Sequence, residues 1–287
     1  LTRTMAKQME QRLFVSVDYR LSPETFFPGG LEDCERVIEH VIKYAPEEYG
    51  IDPRKVVLMG DSAGGGLVAA VTQRRRERQS KPDILGQVLL YPLLQLSDFQ
   101  TYSYRYFKRE MHGLAVVDPP SVAMYYLWYA GVDIDEHPEY IEAAITNGHM
   151  GDEAEALRNE LFDLSVLPES FRDDLNGTDA RPKVERNEEL IKLMTPFITN
   201  PDFAPLMRRD LTNLPTALVA TCELDVLRDE GAVYAHRLQK DGVRTTWKHY
   251  DHGFHAMLNF PNELEIAKSA IKDISDWTVK LIAEAAF

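Results

Sequence analysis

"VVLMGDSAGGGLVAAV", residues 56–71, decides how this chain is to be read. An apolar, β-branched run ends in Gly60-Asp61-Ser62-Ala63-Gly64 and passes directly into a helix-forming segment. Strand, Gly-x-Ser-x-Gly and helix, in that order, describe a nucleophile elbow. The serine sits in a sharp, strained turn, and the residues two before and two after it must be small for the two backbones to pass. Its hydroxyl then stands at the carboxyl end of the sheet, beside a helix N-terminus whose dipole favours developing negative charge. A serine between glycines is also common loop filler, but strand and helix signals on both sides favour the nucleophile. On this reading the Ala63 N–H is one oxyanion donor.

Outward from the elbow, strands and helices alternate. Residues 13–18 (LFVSVD), 55–59, 86–91, 215–221 and 243–250 carry buried-strand signals, and helices fit 31–44, 64–78, 228–240 and 261–285. That alternation predicts a mostly parallel sheet with helices on both faces, in a single α/β domain over residues 1–287. Residues 93–210 break the rhythm, being aromatic early and charged later, and read as a lid inserted over a site. The basic end of the 64–78 helix, RRRER, suits the helix dipole and reads as a solvated face.

The bulk numbers narrow the partners. The chain has 287 residues and a formal charge of −14, which argues against nucleic acid and against anionic substrates. No run reaches the roughly 18 apolar residues of a membrane span, and no signal-peptide pattern is present. Cys34 and Cys222 are too few for a disulfide framework; Cys34 falls at a buried helical spacing. The triplet Asn176-Gly177-Thr178 matches a glycosylation sequon, a pattern that is frequent by chance.

A serine of ordinary pKa needs a base, and the base an orienting carboxylate, in the chain order Ser, acid, His on this fold. "CELDVLRDEG" offers Glu223, Asp225, Asp229 and Glu230; "HYDHGFHAM" offers His249, His252 and His255. Both sets follow strands, where an open α/β sheet carries its site. Histidines at spacing three also suggest a metal, but no HExxH-like ligand set accompanies them, so neither metal nor cofactor is expected. His40, His112, His137, His149 and His236 read as surface or helix residues.

"VSVDYRLSPE", "GDSAGG", "LLYP", "TCELDVLRDEG" and "YDHGFHAMLNF" together resemble the hormone-sensitive lipase family of α/β-hydrolases. The likeness lies in its arylacetamide deacetylase and neutral cholesterol ester hydrolase branch. "WYAGVDIDEHPEYIEAAITNGHM" and "SVLPESFR" extend it into the lid. The resemblance implies Ser62 as nucleophile, Asp225 as triad acid and His255 as base, with His252 the second choice. It leaves Asp229 and Glu230 to favour the N-terminus of the next helix. Ala256 stands where the family has glycine. The implied activity is hydrolysis of lipophilic carboxylic esters or amides, with Tyr102, Tyr104, Tyr106, Phe107, Tyr125, Tyr126 and Trp128 either lining an acyl pocket or forming lid core.

One family feature is not in the sequence. The His-Gly-Gly-Gly oxyanion loop, and the strand leading to it, should precede the segment ending near Arg12. The expectation is therefore an N-terminally truncated chain, poorly folded or weakly active, with unpaired backbone in mid-sheet. An N-terminal anchor to the endoplasmic reticulum membrane, facing the lumen, is implied for such enzymes by resemblance alone. The alternative is a hydrolase homologue that binds small molecules without turning them over.

Overall fold

The computed structural model describes residues 1–10, 12–111, 115–172 and 184–285; the sequon and His112 lie outside them. Helices α1 (Thr2–Gln8) and α2 (Gly29–Tyr49) precede strand β1 (Val57–Asp61). Helix α3 (Ala63–Glu77) leads to β2 (Gly86–Leu90). Six helices follow: α4 (Tyr102–Glu110), α5 (Pro119–Ala130), α6 (Glu139–Ile145), α7 (Asp152–Leu161), α8 (Glu169–Arg172) and α9 (Glu188–Ile198). Then come β3 (Thr216–Leu224), α10 (Arg228–Lys240), β4 (Thr245–Phe254) and α11 (Glu265–Glu284).

The four strands form one parallel sheet in the order β1-β2-β3-β4, with Asp61 level with Leu90 and Leu90 level with Ala220. Side chains alternate between its faces. Val88, Leu90, Leu218, Ala220 and Cys222 pack with Met5 of α1 and Ile271 and Ile274 of α11. Leu89, Ala217 and Val219 pack with Ala69 of α3 and with Val233 and Leu238 of α10. Two covered faces explain why these strands read as continuous apolar runs.

Two expectations are corrected. Residues 13–18 form no strand: they run unpaired, with Leu13 43% and Val15 48% exposed. β propensity makes a strand only where a neighbour completes the ladder, and no described strand lies beyond the outer edge of β1. The basic run of α3 is not a solvated face either. Arg75 is buried and paired with Glu39, Arg74 bridges Glu35 and Asp202, and Arg76 reaches Asp210. These arginines fasten α3 to α2 and to the chain that returns from the inserted helices.

The strands also reach further toward their carboxyl ends than hydropathy suggests. β1 runs through Gly60 and Asp61, β3 through Glu223 and Leu224, and β4 through His252 and Gly253. Apolar patterning marks where a strand is buried, whereas backbone pairing continues to the polar rim.

Candidate active site

All four strands end on that rim, and three of them lead directly into the candidate residues: Ser62 after β1, Asp225 after β3 and His255 after β4. Parallel pairing puts the three ends on one side of the sheet. A bulge between Cys222 and Leu224 carries the register on to Leu224 opposite Phe254, so the last two residues leave their strands side by side. His255 Nδ1 lies 2.9 Å from Asp225 Oδ2, and its Nε2 lies 2.9 Å from Ser62 Oγ. With the proton on Nδ1, the ring donates to the carboxylate and accepts from the serine hydroxyl. Asp225 is fully buried, and its other oxygen accepts from Leu227 N–H at 2.9 Å.

His255 is also buried. Burial disfavours its charged ring, but the Asp225 charge and hydrogen bond, helped by Asp61, outweigh that and hold its pKa above the ordinary histidine value. The Tyr91 ring packs against it, centroids 4.9 Å apart. The sequence placed Tyr91 in the LLYP motif without giving it a role; it is the residue that leaves β2 on the same rim.

The elbow is strained as its sequence demands. Ser62 has φ 56° and ψ −123°, a conformation that side chains rarely adopt. A β-carbon at Gly60 would come within 2.2 Å of the Gly64 carbonyl oxygen, whereas one at Gly64 would meet nothing within 4 Å. The smallness required is therefore at position 60, against the backbone of 64, and at Gly65 and Gly66, which press on Pro92 and Leu93. Ala63 opens α3, so its N–H has no acceptor within the helix.

The other carboxylates separate cleanly. Glu223 accepts from the backbone of His252 at 2.5 Å and faces its ring, on the solvent side. Asp229 and Glu230 do more than favour a helix N-terminus: both are buried. Asp229 accepts from Ser103 N–H at 2.8 Å and pairs with Arg228; Glu230 accepts from Leu94 N–H at 2.6 Å and from Gln95 Nε2 at 2.9 Å. Burial pushes the Glu230 carboxyl up to about 8, against those donors.

The histidines do not converge. His252 projects outward, 90% exposed, away from Ser62, and His249 Nδ1 meets Thr221 Oγ1 at 2.9 Å. Among the described residues no three His, Cys, Asp or Glu side chains are grouped as metal ligands. His149 is not a surface residue: it is buried beside Leu96, whose carbonyl lies 2.6 Å from Nε2. Cys34 and Cys222 are free and buried, and burial raises both thiols, Cys34 to about 11.

Beside Ala63 opens a cavity of about 240 Å³. Tyr125, Tyr126 and Trp128 of α5 form part of its wall with Phe203, Leu93 and Gly66, and Tyr19 to Ser22 close it from the chain before α2. Tyr104 and Phe107 lie in the core instead, with Tyr102 and Tyr106 packed against it. The aromatics of α4 thus belong to the core, whereas those of α5 wall the cavity, and Tyr126 serves both. Aromatic content did not separate the two helices, because each carries four aromatic residues.

The sequence pattern of the alpha/beta hydrolase fold matches residues 1–157 and 169–259. The chain belongs to that family. It is 34% identical over 272 residues to neutral cholesterol ester hydrolase 1 of Bos taurus, covering 91% of this chain and 62% of that protein. It is 32% identical over 284 residues to the arylacetamide deacetylase of Mus musculus, covering 98% of this chain and 68% of that protein. Among solved structures it superposes on an esterase of Pyrobaculum calidifontis with a TM-score of 0.68 at 26% identity, covering 98% of this chain and 69% of that one. The chain thus spans somewhat under two thirds of the cholesterol ester hydrolase that it resembles. Family membership agrees with the resemblance carried by the motifs, and the parallel sheet with helices on both faces is this family's fold.

Proposed function

We propose that this protein is a serine carboxylic ester hydrolase acting on lipophilic esters or amides. Ser62 Oγ attacks the acyl carbon while His255 Nε2 takes its proton. Asp225 keeps the imidazole in the required tautomer and stabilises the imidazolium that forms. The Ala63 N–H, at the positive end of α3, donates to the oxyanion. His255 then returns its proton to the departing alcohol or amine, and a water activated by the same nitrogen hydrolyses the acyl-enzyme. The observation that carries this reading is the pair of 2.9 Å contacts joining Asp225, His255 and Ser62 in line.

The substrate class is inferred from the cavity and from the relatives. An aromatic-walled space of about 240 Å³ beside Ala63 suits one arm of an ester, not a whole lipid, since sites that enclose a drug-sized ligand run about 300–1,000 Å³. A net charge of −14 disfavours anionic substrates. The relatives' own names, a cholesterol ester hydrolase and an arylacetamide deacetylase, support lipophilic esters and amides.

Fluorophosphonate labelling of the chain, run beside p-nitrophenyl ester hydrolysis, tests the reading. Ser62 should be labelled, and Ser62→Ala or His255→Ala should each lower kcat by about 10⁶-fold, with no further loss in the double variant. A folded chain whose serine stays inert favours a binding protein that retains the pocket without the chemistry.

A further inference from the structure

The nucleophile is gripped from outside its own helix. Ser62 N–H donates to Leu90 O at 2.9 Å, and Leu93 N–H donates back to Ser62 O at 3.1 Å. The same short loop supplies Tyr91, whose ring lies against His255, and Pro92, which fills the space over Gly65. Residues 91–93 therefore touch two of the three residues proposed to do the chemistry.

One carboxylate fixes the far end of this loop. Glu230, 1% exposed in the first turn of α10, accepts Leu94 N–H on one oxygen and Gln95 Nε2 on the other. Gln95 is itself held in register, its Oε1 accepting from Ser97 N–H at 2.7 Å and Asp98 N–H at 2.8 Å. A buried carboxylate is tolerable only when its oxygens are hydrogen-bonded. Here both oxygens are used on the segment that clamps the elbow. The strained φ of Ser62 persists only while its surroundings over-determine it, and the Leu93 bond is one of those constraints.

We propose that Glu230 is a positioning residue for the nucleophile, acting through Leu94 and Leu93 on the Ser62 backbone and through Tyr91 on His255. This rests on Ser62 being the nucleophile. Misplacement of a reacting group by about 1 Å costs on the order of 10² in rate, so Glu230→Ala should lower kcat about 100-fold while KM changes less than threefold. Glu230→Gln keeps an acceptor for Leu94 but sets two amide groups against each other at Gln95, and an intermediate loss follows. Exchanging the pair, Glu230→Gln with Gln95→Glu, restores a donor facing an acceptor between the two residues, at the loss of the bond that Gln95 Nε2 donates to Asp98 O at 3.2 Å.

The experiment measures kcat, KM and the fluorophosphonate labelling rate of Ser62 for wild type, both single variants and the exchanged pair, with thermal unfolding beside them. Recovery of kcat and labelling rate in the exchanged pair, to within about threefold, supports the proposal. Wild-type kcat in Glu230→Ala overturns it. So does a folded Glu230→Gln variant that keeps wild-type kcat and labelling rate, because Glu230 would then be structural only. A wild-type chain that hydrolyses nothing and takes no label removes the hydrolase reading itself, and the proposal with it.

Discussion

β1 and β2 are adjacent parallel strands of five residues each, and both are rich in apolar side chains, yet β2 is buried throughout while β1 is only half-buried. The difference is not hydropathy. β2 has a strand on either side, with α3, α10 and α11 over its faces; among the described residues β1 has a strand on one side only. Ser62 hangs from the half-buried strand, whereas Asp225 and His255 hang from the better-packed half of the sheet. Ser62, the proposed nucleophile, therefore has its backbone held by the loop after β2, which reaches His255 only through the Tyr91 ring.

The largest effect that sharpens this contrast is electrostatic. Asp225→Asn should lower kcat about 10⁴-fold. It should also move the acidic limb of the kcat/KM profile. In the native protein Asp225 and Asp61 hold His255 above its ordinary pKa against burial, so activity falls as pH drops below a value above 6.5. Once the Asp225 carboxylate is replaced by a neutral amide, the burial penalty is left less opposed, and the limb shifts to lower pH. A limb that stays in place would mean that another group titrates.

Next comes packing. Leu89→Ala, in the buried strand, should cost about 2–5 kcal/mol, because it opens a cavity between tightly packed neighbours. Leu58→Ala on β1 removes a half-buried side chain and should cost about 1 kcal/mol. Urea unfolding of the two variants decides whether the strands differ as described; equal losses contradict it.

A pH-dependent effect belongs to the turn between α6 and α7. Burial lowers the His149 pKa to about 4, so the folded protein leaves that ring neutral where the unfolded chain protonates it. Stability should fall as pH drops from about 6.5 to 4, by roughly 3 kcal/mol in all from this group. His149→Gln should flatten that part of the stability profile. Smallest is Ala256→Gly. Ala256 sits at φ 66°, where glycine is unstrained, and the change should raise stability by about 0.5–1 kcal/mol in thermal unfolding.

Much of the site was legible because its chemistry is local. The elbow is written in consecutive residues, Gly60 to Gly66, whose sizes follow from one turn. Asp225 and His255 could be nominated because each follows a strand signal, although that left four acids and three histidines open and only family resemblance narrowed them. Other features escaped the sequence for a shared reason. The burial of Arg75, Asp229, Glu230 and His149 depends on partners remote in the chain, Glu39, Ser103, Leu94 and Leu96. A charged residue read alone looks solvated, and one-dimensional patterns hold no record of a distant partner.

By itself the sequence determined the alternation of strands and helices and the place of the serine between them, because period and turn chemistry act over a few neighbouring residues. Tertiary structure alone decided where Asp229 and Glu230 are buried, which aromatic helix walls the cavity, and why residues 13–18 make no strand. Those outcomes depend on what lies across a sheet or helix face, and that neighbour is fixed only when the chain has folded back upon itself.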